Sequence, residues 1–396
     1  MSTIINSYAL LSVNLIKEKT IQQNGFIKVK EGKIFEIGAM DQYQNTENIK
    51  EIRFSSDLFA SPGFIDIHIH GLNGADTMDA SEESLKTMCE TLPQEGTTSF
   101  LATTITQERS DIESALRTVN NYLKKGTNQS IGSELLGIHL EGPFISPKRA
   151  GAQPLEHIVK PDIQLFESWQ EESGNHIKVV TMAPEQPNGV EFVHHLTKNK
   201  IITSIGHSDA VYHEMLDAME AGAEHVTHFY NGMRGSHHRE PGVVGAGLAH
   251  EELLIEMIAD GIHVHPAVVK ATYLAKGPDR ILLITDSMRA KWLEDGEYEL
   301  GGQKVAVANN TALLENGTLA GSVLKMNEGL RNMKEFTGCA LEEAVRMAST
   351  NPAKRLNVWE RKGSIEVGKD ADIVIMNQNF EVKMTFCNGQ LVYKGE

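Results

Sequence analysis

The feature of this 396-residue sequence that most limits its fold is an alternation between apolar, β-type runs and segments with helical periodicity. Such alternation is typical of parallel strands that are each followed by a helix. The apolar runs occupy residues 63–70, 97–103, 135–141, 177–182, 201–207, 225–228, 254–260 and 281–286. Eight units over about 300 residues predict a TIM-like (β/α)8 barrel. An open, doubly wound sheet is the alternative, because strand counting alone does not show closure.

Three segments between these runs have the clearest helical pattern, at residues 82–92, 110–124 and 209–221. In the third, Ser208 or Asp209 is expected to cap the start of the helix, and Gly222 is expected to end it.

Short alternating segments punctuated by Gly and Asn lie at both ends of the chain. Neither end carries enough apolar surface for a core of its own. We therefore predict one small β-sandwich domain formed by residues 1–57 and 360–396. Residues 58–359 between them are expected to form the (β/α)8 barrel, with the catalytic site.

Composition narrows the function and the compartment. A net charge of −16 and a pI near 5.5 argue against general affinity for nucleic acid or for anionic membranes. The three cysteines are far apart, which favours a reducing compartment without a disulfide framework. The first residues lack the features of a signal peptide, and no 18-residue apolar stretch occurs. We expect a cytoplasmic protein.

Side chains that bind metals follow the predicted strands at their carboxyl ends, where the catalytic groups of such barrels lie. They are His68 and His70 after the first run, Glu141 after the third, His207 after the fifth, His228 after the sixth and Asp286 after the eighth. The first two share one face of their strand. Taken alone, His68 and His70 could be ordinary hydrogen-bonded residues of the core. Together with the other residues, they favour a catalytic site for Zn, Fe, Mn or Co.

Several motifs together resemble the amidohydrolase superfamily. They are "PGFIDIHIHG", "GIHLEGPF", "GHSDA", "HVTHFYNGM", "HHREPGVVG", "ADGIHVHP", "ITDSM" and "TLAGS", with a C-terminal "KGSIEVGKDADIVI". Within the superfamily, "HLEGPF" followed by "HHREPG" and "DGIH" resembles the deacetylases of N-acetylglucosamine 6-phosphate. This resemblance covers nearly the whole chain. It implies a cytoplasmic enzyme of amino-sugar catabolism and cell-wall sugar recycling that releases acetate from a small phosphorylated sugar.

The resemblance also implies the metal ligands. Glu141, His207 and His228 would hold the main catalytic ion, and His68 and His70 would complete a second site that Glu141 bridges. Some family members lack the two strand-one histidines and use one metal. This sequence keeps both, so we expect one or two divalent ions per subunit and favour two.

Catalytic roles follow from the same resemblance. Asp286 would accept a proton from water activated by the metal and deliver it to the leaving nitrogen, acting as base and then as acid. His263 would polarise the acetyl carbonyl or hold the sugar phosphate. A buried structural carboxylate is the alternative interpretation of Asp286.

For substrate binding, the resemblance points to short segments in the loops that follow the strands. These residues are Ala152, Gln153, Asn231, Gly232, Arg239, Leu319, Ala320 and Gly321, together with His263. Arg239 would bind the phosphate with its planar guanidinium, and a solvated loop charge is its alternative. Related enzymes have the site near a dimer interface, so we expect a homodimer. The Arg239 that acts at each site then comes from the same chain or from the partner chain. By strand alternation, His139 and His265 are expected to face away from the pocket.

Two other functions remain open. One is a cyclic amidase or deaminase with the same metal ligands but no phosphate pocket. The other is a catalytically silent protein on the same barrel, because a fold does not fix a function. The complete ligand set with Asp286 argues against silence.

Overall fold

The computed structural model describes residues 7–46, 48–126 and 132–395. The strands are β1 Ser7–Ile16, β2 Ile21–Lys30, β3 Lys33–Ala39, β4 Lys50–Arg53, β5 Phe59–Pro62, β6 Phe64–Ile69, β7 Gly71–Leu72, β8 Ala75–Asp76, β9 Thr97–Thr104, β10 Glu134–Glu141, β11 Ile177–Met182, β12 Ile202–Ile205, β13 His225–Val226, β14 Leu254–Ile258, β15 Ile281–Ile284, β16 Gly296–Leu300, β17 Gln303–Ala308, β18 Thr311–Leu314, β19 Ile373–Met376, β20 Val382–Cys387 and β21 Gln390–Lys394. The helices are α1 Glu82–Thr91, α2 Arg109–Lys124, α3 Ile163–Glu172, α4 Gly189–Lys198, α5 Tyr212–Glu220, α6 Gly242–Ala249, α7 Pro266–Lys276, α8 Met326–Thr337, α9 Leu341–Ala348 and α10 Thr350–Arg355.

Eight parallel strands form the central sheet, in the order β6, β9, β10, β11, β12, β13, β14 and β15. Each lies within one of the predicted runs or extends it by one residue. Backbone contacts just beyond the first and last strands close the sheet, since Ile69 pairs with Ser287 in a parallel bridge. The amide of Asp286 also donates to the carbonyl of His68 at 2.8 Å. The sheet is therefore a barrel, and the open-sheet alternative is wrong.

Both ends of the chain contribute to a second sheet. Its strands run in the order β21, β20, β19, β5, β1, β2, β3, with β4 paired to the first half of β1. The strands of this sheet have an apolar cluster of their own, formed by residues such as Leu10, Ile27 and Ile373. The predicted fold class, an amidohydrolase-type barrel with a small β-sandwich domain from both termini, is confirmed. The domain limits stay predictions; strand β5, which ends at Pro62, pairs with the terminal sheet.

The helices cover the barrel, and their apolar faces join its strands in the largest cluster of buried residues. The expected cap of α5 is wrong, because the helix begins at Tyr212 after Val211. The Ser208 hydroxyl instead accepts a hydrogen bond from the amide of Ala210, and Asp209 pairs with arginines. Gly222 does follow the helix, with φ +109°.

A three-stranded antiparallel sheet, β16 to β18, is inserted after the last barrel strand. Its apolar side packs with Met288 and with Ile105, which follows strand β9. The insertion therefore lies beside the carboxyl ends of the barrel strands, where the predicted site residues are. Among the described residues, no helix combines the length and the apolar character needed to cross a lipid bilayer.

Candidate active site

The barrel brings the predicted metal-binding side chains together at the carboxyl ends of its strands. All of them are buried, and each has a ring nitrogen or carboxylate oxygen within 3.4 Å of another member. They are His68, His70, Glu141, His207, His228 and Asp286. Residues that are separated by more than 200 positions in sequence thus form one polar cluster.

Glu141 lies at the centre of this cluster. Its Oε1 is 3.3 Å from His207 Nε2 and 3.1 Å from His228 Nε2, and these two nitrogens are 3.0 Å apart. The other carboxylate oxygen, Oε2, is 3.3 Å from His70 Nε2, and Oε1 is also 3.3 Å from His68 Nε2. Glu141 therefore faces two groups of imidazoles, one on each side.

The hydrogen bonds of the rings test whether this cluster fits a metal. His207 Nδ1 donates to the carbonyl of Arg149 at 2.9 Å, which leaves Nε2 as a lone pair in the neutral ring. His68 Nδ1 lies 2.9 Å from a Glu256 carboxylate oxygen, and its buried Nε2 has no hydrogen-bond partner among the described residues. In their neutral forms these imidazoles would direct Nε2 lone pairs towards the Glu141 carboxylate, as ligands of a divalent metal site do. The residues therefore fit the divalent ion that the resemblance implies.

The pKa values report the same concentration of negative charge. Burial alone would lower the pKa of His70, but hydrogen bonds with Asp286 and Glu141 raise it to about 10. Burial alone would raise the pKa of Asp286, but the neighbouring His68 and His70 lower it to about 2. Burial likewise opposes ionisation of Glu141, yet His68, His207 and His228 hold its pKa well below the ordinary value. Carboxylates that stabilise the positive charge of protonated imidazoles this strongly would also stabilise a metal cation.

Three of these residues have unusual backbone conformations. His207, His228 and Asp286 have φ values of +46°, +27° and +47°, in a region that L-residues rarely adopt. Each lies two residues beyond the end of its strand. Such strain at non-glycine residues clusters at functional sites and persists because the surrounding structure enforces it.

A cavity of about 230 Å³ opens above the cluster. Its lining contains most of the predicted substrate-binding residues: Ala152, Gln153, Asn231, Gly232, His263, Leu319 and Gly321. Ala320 lies between two of these but is fully buried in the apolar cluster of the insertion. Among the described residues, no lysine or arginine lines the cavity.

Two polar residues of the lining are held in fixed orientations. Gln153 donates to Glu141 Oε2 at 2.7 Å and accepts from the amide of Thr106 at 2.8 Å. His263 Nδ1 lies 2.6 Å from Asp260 Oδ2. Burial would lower the pKa of His263, but the hydrogen bond with Asp260 raises it. The raised pKa favours the doubly protonated ring, in which Nε2 also carries an N–H.

Arg239 lies apart from this cavity. Its side chain is exposed and contacts the neighbouring His238, with Nη1 2.7 Å from the ring nitrogen Nε2. Within one chain, the structure therefore brings together the metal and catalytic candidates but not the predicted phosphate ligand.

Sequence reasoning missed two side chains and did not connect a third with the site. Glu256 and Asp66 are buried carboxylates within barrel strands, and both were overlooked. A charged residue inside an apolar run is the signal that would have found them. His139 does not line the cavity, as expected, but it is not remote from the site, since its ring contacts that of His68 with centroids 4.5 Å apart. His139 is two residues from Glu141 and therefore shares its face. His265 is exposed and caps helix α7, outside the cavity.

Comparisons with known proteins agree with this geometry. Residues 59–392 match the sequence profile of the Amidohydrolase family. A relative from Bacillus subtilis (strain 168), named N-acetylglucosamine-6-phosphate deacetylase, is 50% identical over 387 residues, covering 98% of this chain and 97% of the relative. One from Escherichia coli O157:H7, named N-acetylgalactosamine-6-phosphate deacetylase, is 38% identical over 330 residues, covering 83% and 86%. The crystal structure of N-acetylglucosamine-6-phosphate deacetylase from Thermotoga maritima has a TM-score of 0.87 at 34% identity, covering 98% of this chain and all of that one.

The chain therefore belongs to the amidohydrolase family, whose members typically use a divalent metal. Within that family it is similar to enzymes named N-acetylglucosamine-6-phosphate deacetylase, as its motifs suggested. The resemblance drawn from the sequence is confirmed.

Proposed function

We propose that this enzyme hydrolyses the acetamido C–N bond of N-acetyl-D-glucosamine 6-phosphate, giving D-glucosamine 6-phosphate and acetate. One observation carries the proposal: Asp286 and four of the five candidate metal ligands line one small cavity, and the fifth, His68, contacts Glu141 and Asp286, in a chain 50% identical to a deacetylase of that name. The reaction belongs to cytoplasmic amino-sugar catabolism and cell-wall sugar recycling.

The metal ligands divide into two groups that share Glu141. His207 and His228 with Glu141 would hold one ion, and His68 and His70 with Glu141 would hold the other. Zn, Fe, Mn or Co suits these ligands, with one or two ions per subunit. A divalent ion bound there polarises a carbonyl group and acidifies a water molecule.

Asp286 is the proton carrier of the proposed reaction. Its Oδ1 lies 3.2 Å from His70 Nε2, at the border between the ligand cluster and the cavity. With a pKa near 2 it is ionised at neutral pH and able to accept a proton from the attacking water. It then delivers that proton to the sugar nitrogen as the C–N bond breaks.

His263 and Gln153 orient the reacting groups. The bond from His263 to Asp260 fixes the imidazole ring, and the raised pKa favours a donor N–H for the acetyl carbonyl or for the sugar phosphate. Gln153 fixes the orientation of the Glu141 carboxylate that both metal positions share. The loop residues Ala152, Asn231, Gly232, Leu319 and Gly321 are proposed to contact the sugar.

Phosphate recognition is proposed to require a second subunit. The cavity has no lysine or arginine from the described part of its own chain, whereas Arg239 is exposed on a loop outside it. A homodimer that places the Arg239 of one subunit at the cavity of the other would supply a guanidinium, which binds phosphate bidentately.

The first test is acetate release by the purified, metal-analysed enzyme. The substrates are N-acetylglucosamine 6-phosphate, its galactosamine epimer and unphosphorylated N-acetylglucosamine. We expect the first to be cleaved fastest, and the isosteric variant Asp286→Asn to lose nearly all turnover while it retains metal. Faster cleavage of the epimer would move the assignment to the galactosamine series. Bound metal without cleavage of any of the three would refute the substrate.

Subunit mixing tests the role of Arg239. Asp286→Asn and Arg239→Ala chains are each expected to be nearly inactive alone. In random hybrid dimers of the two, half of the dimers have one intact site, so co-expression restores about a quarter of wild-type activity. Hybrids that stay inactive would contradict the assignment of Arg239 to the partner subunit's site.

A further inference from the structure

Glu256 lies inside the barrel beneath the ligand cluster, on strand β14, with no solvent exposure. One carboxylate oxygen, Oε2, lies 2.9 Å from His68 Nδ1 and accepts from the main-chain amide of His228 at 3.1 Å. Its other oxygen, Oε1, lies 3.5 Å from His225 Nε2 and has no hydrogen-bond partner among the described residues. None of the motifs that identify the family contains this residue.

The contact with Glu256 fixes the state of the His68 ring. A carboxylate that already accepts from an amide binds the Nδ1–H tautomer, so the proton stays on Nδ1. In the neutral ring the lone pair is on Nε2, which lies 3.3 Å from Glu141 Oε1 and 3.4 Å from Asp286 Oδ1. This is the state that a ligating imidazole needs, because carboxylate partners orient the ring and increase its basicity.

The effect of Glu256 is unequal between the two groups of ligands. It contacts the imidazole of His68 but only the backbone of His228. The His207 ring is oriented by a different acceptor, the carbonyl of Arg149. Loss of the Glu256 carboxylate therefore disturbs the ligands from strand β6 and leaves the other group largely intact.

We propose that Glu256 is a positioning residue that sets the affinity of the metal position formed by His68, His70 and Glu141. The proposal rests on the metal dependence stated above, but not on the identity of the substrate. Glu256 thereby determines whether the enzyme holds one ion or two at a limiting metal concentration.

The test is metal binding by the full-length protein carrying Glu256→Gln. Chelator-treated enzyme is titrated with Zn²⁺, with bound zinc counted by mass spectrometry and affinities taken from calorimetry. The wild type is expected to bind two ions per subunit. The variant is expected to bind the first ion normally and the second about 10–100-fold more weakly.

Glu95→Gln is the matched control. Glu95 is also a fully buried glutamate, but its carboxylate pairs with Lys291 at 2.9 Å and Trp292 at 3.1 Å, outside the ligand cluster. This variant is expected to lose stability and to keep both ions. Melting of the metal-free proteins separates the two effects, because a positioning role lowers the metal-induced rise in melting temperature more than the metal-free value.

Three results would overturn the proposal. They are unchanged affinity for both ions in Glu256→Gln, equal weakening of both ions, and a wild type that binds one ion only. Because zinc is counted without substrate, failure of the proposed deacetylation would not alter these readings.

Discussion

Replacing Gly232 with alanine is expected to weaken metal binding by acting on a ligand ring. Gly232 has φ +55°, and a Cβ there would lie 2.9 Å from His207 Nδ1. Ordinary van der Waals contact begins at 3.4 Å, so the His207 ring must move by about 0.5 Å. A preorganised site tolerates displacements of its side chains of only about this size. His207 Nε2 is 3.0 Å from His228 Nε2, so this shift opens the ligand triangle.

Two costs are expected in Gly232→Ala. The left-handed backbone conformation costs an alanine roughly 1–2 kcal/mol of stability. The displaced ring is expected to reduce the affinity for the ion by about 10–100-fold, and turnover with it at limiting metal. Gly338 separates the two costs, because its φ is +77° and nothing lies within 4 Å of an added Cβ.

The assay compares thermal unfolding, Zn²⁺ titration and acetate release for Gly232→Ala and Gly338→Ala. Both variants should lose a similar amount of stability, and only Gly232→Ala should lose metal affinity. If the two variants bind Zn²⁺ equally well, the packing of Gly232 against His207 does not position the ligand, and a role in contacting the sugar is the better explanation.

Two further predictions concern stability and reactivity. Burial would raise the pKa of Glu134, but Arg361 and Lys362 lower it from 4.5 to about 2. Its stabilisation, about 3 kcal/mol, is therefore present above pH 4.5 and lost as the pH falls towards 2. Urea unfolding of Glu134→Gln should differ from wild type by that amount near pH 7, and a difference independent of pH would contradict this. All three cysteines are buried, and burial raises the pKa of Cys89 to about 12. A disulfide reagent should label none of them until the protein unfolds.

The sequence predicted the fold and the ligand cluster because both follow from local patterns. Apolar runs give the strands, and the carboxyl ends of parallel strands meet at one end of a barrel. His68, Glu141 and His207 therefore converge without any need to know the strand register. The roles of the individual residues came from the resemblance to the family and not from the spacing.

Contacts across strands could not be predicted in the same way. The pairing of β9 with β10 shifts between Leu135 and Gly137, and that of β6 with β9 shifts between Asp66 and Ile69. Such irregularities alter which side chains meet inside the barrel, so the pairing of Glu256 with His68 is visible only in three dimensions. Arg239 does not line the cavity of its own chain, so the role proposed for it involves a contact between subunits that the pattern of one sequence does not encode.

The polar floor of the barrel, formed by the buried strand residues His68, His139, Thr181 and Glu256, lies at the proposed metal site and is distinct from the loops that are proposed to bind the sugar. Burial holds the pKa of His139 well below its usual value, so the ring is neutral. Its Nδ1 donates to the carbonyl of Ile67, and its Nε2 accepts from the hydroxyl of Thr181. The same ring packs against His68, whose Nδ1 is held by Glu256. These contacts all come from strands, whereas most of the cavity lining comes from loops. Substitutions in the floor should therefore change metal occupancy with little effect on which sugar is preferred, and substitutions in the loops should do the reverse.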